Sequence, residues 1–239
     1  MIHVLYHANC NDGFGAAWAA HEHLRGEETK FHPVKYGKEP PALGKENLIY
    51  ILDFSYSREE LTEIAKWQRH VTVLDHHKTA EAALTNWEDK PHNLTIEFNQ
   101  NESGAVMSWK YFHGGYHLNV PELLLYIQDR DLWKWELEHS KAINEALQVL
   151  VPHEFKIYRD LDAQWSKKKK ELSEDGYTSL AGKQGVIERT VKARHFLDFG
   201  EGQKAVAVNN FSYASETCEE LLKLEPGSDL AACWAHTSD

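Results

Sequence analysis

LIYILDF, residues 48–54, is the stretch whose reading decides the fold. It is a continuous apolar run with one charge, Asp53, near its end. An amphipathic surface strand would alternate apolar and polar residues, whereas a strand covered on both faces reads as an unbroken apolar run. The run is therefore expected to be a buried strand of a parallel sheet, carrying a carboxylate at its carboxyl end. Outward from it the pattern repeats. Toward the N-terminus, IHVLYH (residues 2–7) is a short β-leaning run closed by the turn chemistry of Asn11-Asp12-Gly13. An Ala-rich helix is expected over 14–24, a second strand over 31–36, and a loop at Pro40-Pro41. Toward the C-terminus, Ser57-Arg58-Glu59-Glu60 is a capping box, which starts a helix to about residue 68. A strand over 71–74 runs into Asp75-His76-His77, another is expected over 94–98, and helices begin near Ser103 and Pro121. Strands alternating with helices imply an α/β fold, a parallel β-sheet with helices on both faces.

Beyond Trp135 the texture changes. Residues 140 to about 174 read as charged helix, and 183–199 as another. Strand 205–209, helix 215–224 and strand 230–234 restore α/β character. The expected organisation is an α/β domain over 1–150, a helical connector over 151–203 and a small α/β region over 204–239. Lys167 to Lys170 are consecutive lysines; a solvated helix face is the first reading of such a run, ahead of a nucleic-acid patch.

The formal net charge of -11 argues against a wide basic surface for long duplex DNA. It leaves room for a short nucleotide held through metal ions, because bound cations reverse the local field. Cys10, Cys218 and Cys233 are widely spaced, with no disulfide framework, and each reads first as a small apolar residue. No run approaches the roughly 20 apolar residues that cross a bilayer, and MIHVLYHANC lacks a signal peptide's pattern. A cytoplasmic protein without membrane contact is expected.

Four segments rich in Asp or His fall at the ends of expected elements, where an open α/β sheet places its ligands. They are His7-Ala8-Asn9-Cys10-Asn11-Asp12-Gly13, Asp53, Asp75-His76-His77 and Asp129-Arg130-Asp131. Each alone has a plain explanation. Asp12 could cap the following helix, the His pair could lie on the surface, and Asp129 and Asp131 could be polar helix positions. For Asp53 a cap is less apt, since Ser57 already serves the next helix. Four such features at successive element ends are hard to credit to accident. Carboxylates with imidazoles suit hard or borderline ions, Mn²⁺ first, with Mg²⁺ or Co²⁺ also suited. Two such ions roughly 3.5–4 Å apart can share a carboxylate and a bridging hydroxide, which attacks a phosphodiester.

HANCNDGFGAAWAA, ILDF, VLDHHK and the Asp of YIQDRDLW resemble, in order, the four motifs of the DHH phosphoesterase superfamily. NDGFGAA, and the pairing of DRDLW with DHHK, are most similar to its oligoribonuclease (nanoRNase) branch. The resemblance covers about residues 1–135. It implies that His7 binds a first metal ion, Asp12 a second, and that Asp53 bridges both. His76 and the motif-four Asp, with Asp129 favoured over Asp131, would complete the second site. Asp75 would orient the cluster, and His77 would face the substrate phosphate with Arg130 or Lys78. Asp12, Asp53 and Asp129 would then nearly balance two divalent ions and a hydroxide. Asn9 stands where many members carry an Asp ligand, with the spacing one residue longer, and would be a neutral, weaker ligand. Members usually add a DHHA1 domain with a Gly-rich, His-ending segment; residues 204–239 resemble only its start. His113-Gly114-Gly115-Tyr116-His117 reads as a loop and not as that segment.

The function implied is hydrolysis of short single-stranded oligonucleotides to nucleoside monophosphates. An adenosine bisphosphate phosphatase, a cyclic-dinucleotide hydrolase and a single-strand exonuclease share the same site, and a pyrophosphatase is a weaker relative. A metal- or nucleotide-binding module without turnover is the reading of another class. A homodimer is compatible with the sequence. Trp133 and Trp135 could stack bases, but core packing is their first reading.

Overall fold

The computed structural model describes residues 1–114, 119–198, 202–210 and 212–235. It divides into two compact units, residues 1–176 and 177–239. The division falls within the change of texture after residue 150, but 151–203 is not a connector of its own. Its first part belongs to the first unit and its last strand to the second.

In the first unit, β1 (Ile2–His7), β2 (Thr29–Val34), β3 (Leu48–Leu52), β4 (His70–Asp75) and β5 (Leu94–Phe98) form one parallel sheet in the order β2-β1-β3-β4-β5. The helices are α1 (Asn11–His23), α2 (Arg58–Trp67), α3 (Lys78–Leu84), α4 (Gly104–His113), α5 (Glu122–Asp131), α6 (Ser140–Leu150) and α7 (Phe155–Ala163), and α8 (Trp165–Thr190) continues past residue 176. Alternation along each central strand assigns its two buried faces. Val4, Leu52 and Leu74 pack under Ala16 and Ala20 of α1 and Met107 and Phe112 of α4. Leu5, Ile51 and Val73 meet Leu61, Ile64 and Ala65 of α2 and Leu84 of α3. This double cover explains why LIYILDF has no polar face. Outside α1, a further layer buries Phe14 and Trp18 among Leu124, Ile127, Ile143, Leu147 and Tyr158.

The Ser57 capping box is complete. Glu60 N–H donates to the Ser57 hydroxyl, and Ser57 N–H to the Glu60 carboxylate. The charged segment after 140 is three helices, not one, interrupted around Pro152 and at Gln164. Helix α1 begins three residues earlier than its sequence suggested, so Asn11-Asp12-Gly13 is its first turn and not a preceding loop.

The second unit holds β6 (His195–Asp198), β7 (Lys204–Asn209), α9 (Ala214–Leu224) and β8 (Leu230–Trp234). β6 runs antiparallel to β7, and β8 parallel to it. Val206, Val208 and Leu221 pack with Ile187 and Val191. The helix expected over 183–199 therefore ends at Thr190: a 3-10 turn follows, and the rest is edge strand β6 as far as Asp198. Phe199, Gly115 to His117 of the expected loop, and residues 211 and 236–239 lie outside the described residues. His113 closes α4, and Gly114 caps it in the left-handed region at φ 99°. Among the described residues no helix is long and apolar enough to cross a membrane.

Candidate metal centre

The chain leaves β1 for β2 on one side and returns to β3 on the other, so the carboxyl ends of β1 and β3 flank a topological switch point, where α/β sheets hold ligands. Register aligns Tyr6 with Leu52 and Leu52 with Leu74. The next residues along, His7, Asp53 and Asp75, thus sit side by side. Asp53 leaves β3 at φ 65°, a backbone conformation costly for a residue with a Cβ and found most often where a site over-determines it.

Two glycines allow the close approach. A Cβ on Gly13 would stand 2.2 Å from the His7 carbonyl oxygen, and one on Gly104 would stand 2.5 Å from Asp53 Cβ. With Gly104 bare, the start of α4 packs against Asp53, and its first N–H groups turn to Asp12. Gly104 N–H donates to Asp12 Oδ2 at 2.7 Å and Ala105 N–H to Oδ1 at 3.0 Å. Asp12 therefore serves a helix terminus, but that of α4, distant in sequence, rather than its own. Sequence reasoning placed a helix start near Ser103 but missed that Ser103-Gly104 belongs to this site. The available signal was a Ser N-cap followed by the one residue without a side chain.

Asp53 faces two groups of donors. Its Oδ2 lies 3.4 Å from His7 Nδ1, and its Oδ1 lies 3.1 Å from His76 Nε2. His76 Nε2 is also 3.7 Å from Asp12 Oδ2 and 3.4 Å from Asp131 Oδ2. Ligand atoms within 4.8 Å of one another define three sets: His7, Cys10 and Asp53; Asp12, His76 and Asp131; and Asp53, His76 and His77. Asp12 and Asp53 are each 1% exposed. Burial acts to raise Asp53, but hydrogen bonds to His7 and His76 outweigh it and hold this carboxyl down to about 2. Asp12 goes the other way: burial first, then Asp53 and Asp131, push it well above the usual carboxylate range. Asp131, whose side chain is 26% exposed, is raised by partial burial and by Asp53. On His76, burial works against the proton, yet the neighbouring carboxylates raise the ring above its ordinary value. Burying like charges together is costly without a compensating cation. The donor set, carboxylate and imidazole around this concentration of negative charge, fits divalent metal ions.

Asp75, fully buried, stands behind the cluster. Its Oδ2 accepts the Ser55 hydroxyl at 2.6 Å, and its Oδ1 accepts His76 N–H and is 2.7 Å from His77 Nδ1. That contact raises His77. The arrangement fixes the imidazole's orientation and leaves its other nitrogen facing outward, near Tyr36.

Two expected ligands need correction. Asp129 is 4% exposed but faces away from the cluster. Its Oδ1 accepts Glu136 N–H at 2.9 Å and its Oδ2 Leu137 N–H at 3.3 Å, while its carbonyl accepts Lys134 N–H. It winds the loop after α5, and Asp131 is the carboxylate beside His76. Asn9, exposed on a turn at φ 59°, lines a cleft with Val34, Lys35 and Lys38. The neighbour brought to His7 and Asp53 is Cys10, which none of the hydrophobic clusters includes. Burial, with Asp53 and Asp12, pushes its thiol up.

Of the expected phosphate contacts, Arg130 bonds Gln148 of α6, and Lys78 is exposed at the start of α3. The four lysines are paired: Lys167 and Lys168 with Glu171, Lys169 with Glu122 and Lys170 with Glu174, as a solvated face requires. Trp133 is not a core residue. It is 38% exposed, and its ring meets Trp135 edge-on at 5.0 Å.

No family model matches the chain. In an alignment 151 residues long that covers 57% of the chain, it is 32% identical to Uncharacterized protein R106 of Acanthamoeba polyphaga mimivirus, covering 34% of that protein. The chain thus spans about a third of the length of the curated relative it matches. Among solved structures, an uncharacterized protein from Helicobacter pylori G27 is similar at 12% identity and a TM-score of 0.41, over 98% of this chain and 83% of that one.

Proposed function

We propose that the first unit is a DHH-type phosphodiesterase that uses two divalent ions to hydrolyse short oligonucleotides to nucleoside monophosphates. Residues 204–239 of the second unit, on this reading, are a DHHA1-like substrate region. The observation that carries the reading is the division of Asp53's two oxygens, one toward His7 and the other toward His76. A carboxylate placed so can serve two ions at once. His7 and Asp53 would hold one, and Asp12, His76, Asp131 and Asp53 the other. The ions would supply acidified water and neutralise charge on the phosphate. Asp75 aligns His77, which donates a hydrogen bond to a phosphate oxygen. The paired buried carboxylates keep the cluster ready to take a cation and an anionic substrate together.

The test is hydrolysis of a panel of dinucleotides, adenosine bisphosphate, cyclic dinucleotides, longer single strands and pyrophosphate, in Mn²⁺ and in EDTA. Dinucleotides should turn over fastest, and only with metal. Asp53→Ala should abolish turnover while leaving the fold intact. Retention of a tenth of the rate would mean a loss of about 1.4 kcal/mol of barrier stabilisation, too small for a shared ligand, and would refute the assignment.

A further inference from the structure

We propose that Cys10 is a ligand of the ion held by His7 and Asp53, and that this position selects a softer ion, Zn²⁺, Co²⁺ or Fe²⁺, than the position formed by Asp12, His76 and Asp131. This rests on the two-metal reading above and extends it to the identity of the ions. Three observations carry it.

The thiol's ligand atom lies within 4.8 Å of those of His7 and Asp53, which are themselves 3.4 Å apart. Two light ligand atoms about 2.1 Å from a tetrahedral ion stand about 3.4 Å apart, so the pair already has ligand spacing. The sequence separation fits as well, since two residues between ligands is the spacing at which a turn delivers both to one ion. In addition, Cys10 stands by the Asp53 carboxylate and, among the described residues, belongs to no hydrophobic cluster, so a small apolar core residue does not describe it.

The two positions then differ in kind. One offers sulfur, imidazole and a carboxylate; the other offers an imidazole and carboxylates alone. Thiolate and imidazole prefer zinc and its neighbours, whereas oxygen ligands suit manganese and magnesium. Binding releases the thiol proton to solvent, and no redox change accompanies it.

Co²⁺ is the probe, because cobalt bound to thiolate absorbs in the near ultraviolet and cobalt bound to oxygen and nitrogen alone does not. Cys218 and Cys233 lie side by side, Sγ to Sγ 3.6 Å, and would confuse the reading. The titration is therefore made on the full chain with Cys218→Ser and Cys233→Ser, in which Cys10 is the one remaining thiol. The expected result is a charge-transfer band saturating at one equivalent. Adding Cys10→Ser should remove the band and weaken binding by about tenfold or more, as loss of even a supporting group can. Made in the otherwise natural chain, Cys10→Ser removes Cys10's share of the band and checks that the result does not depend on the background. Absence of the band in the double variant overturns the assignment, whether Co²⁺ binds without it or does not bind. A band without hydrolysis of any substrate would keep Cys10 as a ligand and remove the phosphodiesterase. Hydrolysis without a band would do the reverse.

Discussion

Asp129→Ala and Asp131→Ala, made separately, distinguish the carboxylate that builds a loop from the one that faces the cluster. Asp129 accepts two backbone N–H groups, at 2.9 and 3.3 Å. Hydrogen bonds to a charged acceptor contribute about 1.5–3 kcal/mol each. Glu136 and Leu137 are exposed, so water can reach their freed N–H groups, and the longer bond counts for less. The loss is then about 2–3 kcal/mol in total. For a chain of this size that lowers the melting temperature by roughly 5–10 °C. Among the described residues Asp131 accepts nothing from the backbone; its near neighbour is His76, and its partly exposed carboxyl is raised by partial burial and Asp53. Its removal should change stability by no more than about 0.5 kcal/mol in EDTA. Calorimetry in EDTA measures both. At a temperature where both variants are folded, hydrolysis in Mn²⁺ should fall at least about a hundredfold for Asp131→Ala, about 2.7 kcal/mol of barrier, and stay within about tenfold for Asp129→Ala. The reverse pattern, a stable but inactive Asp129→Ala beside an active Asp131→Ala, would refute the placement of the fourth ligand.

Gly104→Ala puts a Cβ 2.6 Å from Asp53 Oδ1, so it should cost about 1–3 kcal/mol by urea denaturation and weaken metal binding; an unchanged midpoint would show that α4 can withdraw freely. In EDTA, His77 is raised by Asp75, so the stability it contributes is complete below pH 6.5 and is lost as pH rises through its folded value. Metal-free protein should therefore lose stability as pH rises above about 6.5, less steeply in His77→Gln, and an equal slope in the two would exclude the Asp75 contact as its source. With the lysines at 167–170 paired to glutamates, turnover should be best for two to about five nucleotides and nearly insensitive to salt. A kcat/KM that climbs with strand length and collapses with salt would favour a longer-strand exonuclease.

Which parts of the centre the sequence disclosed follows from the range of the interactions. His7, Asp53 and Asp75 were legible because an apolar run fixes a strand and its end fixes where the next side chain stands. The complete capping box at Ser57 is local for the same reason. Asp129 and Asp131 were not separable. They lie two positions apart on one helix, on nearly opposite faces, and the face turned to the cluster is decided by the N–H groups of Glu136 and Leu137 returning to Asp129. Asp12's partners at Gly104 and Ala105 are likewise tertiary, and so is the approach of Cys10 to Asp53. The missed strand β6 had a local signal, His195-Phe196-Leu197-Asp198. The long helical pattern before it overrode that signal, although edge pairing with β7 decides the conformation.

The electrostatics give the centre a direction. A fold selected for stability alone would not bring Asp12, Asp53 and Asp131 together beneath two histidines, since each carboxylate pays desolvation and repels the next. Asp53 is the exception: His7 and His76 hold it well down, while burial and the carboxylates of Asp53 and Asp131 hold Asp12 above the usual carboxylate range. The metal-free cluster thus sets a carboxylate whose charge is favoured beside one whose charge is disfavoured, and an arriving cation meets the readier charge at Asp53, where the two donor groups join. Ionisation of Asp12 then follows the cation, releasing a proton as the second position fills. Proton release on metal addition, followed in weak buffer at a series of pH values from the usual carboxylate range upward, should accordingly fall in Asp12→Asn, whose side chain has no proton to give up. Equal release from Asp12→Asn and the natural chain would mean that Asp12 is ionised before metal arrives, and the order of charging argued from its burial would be wrong.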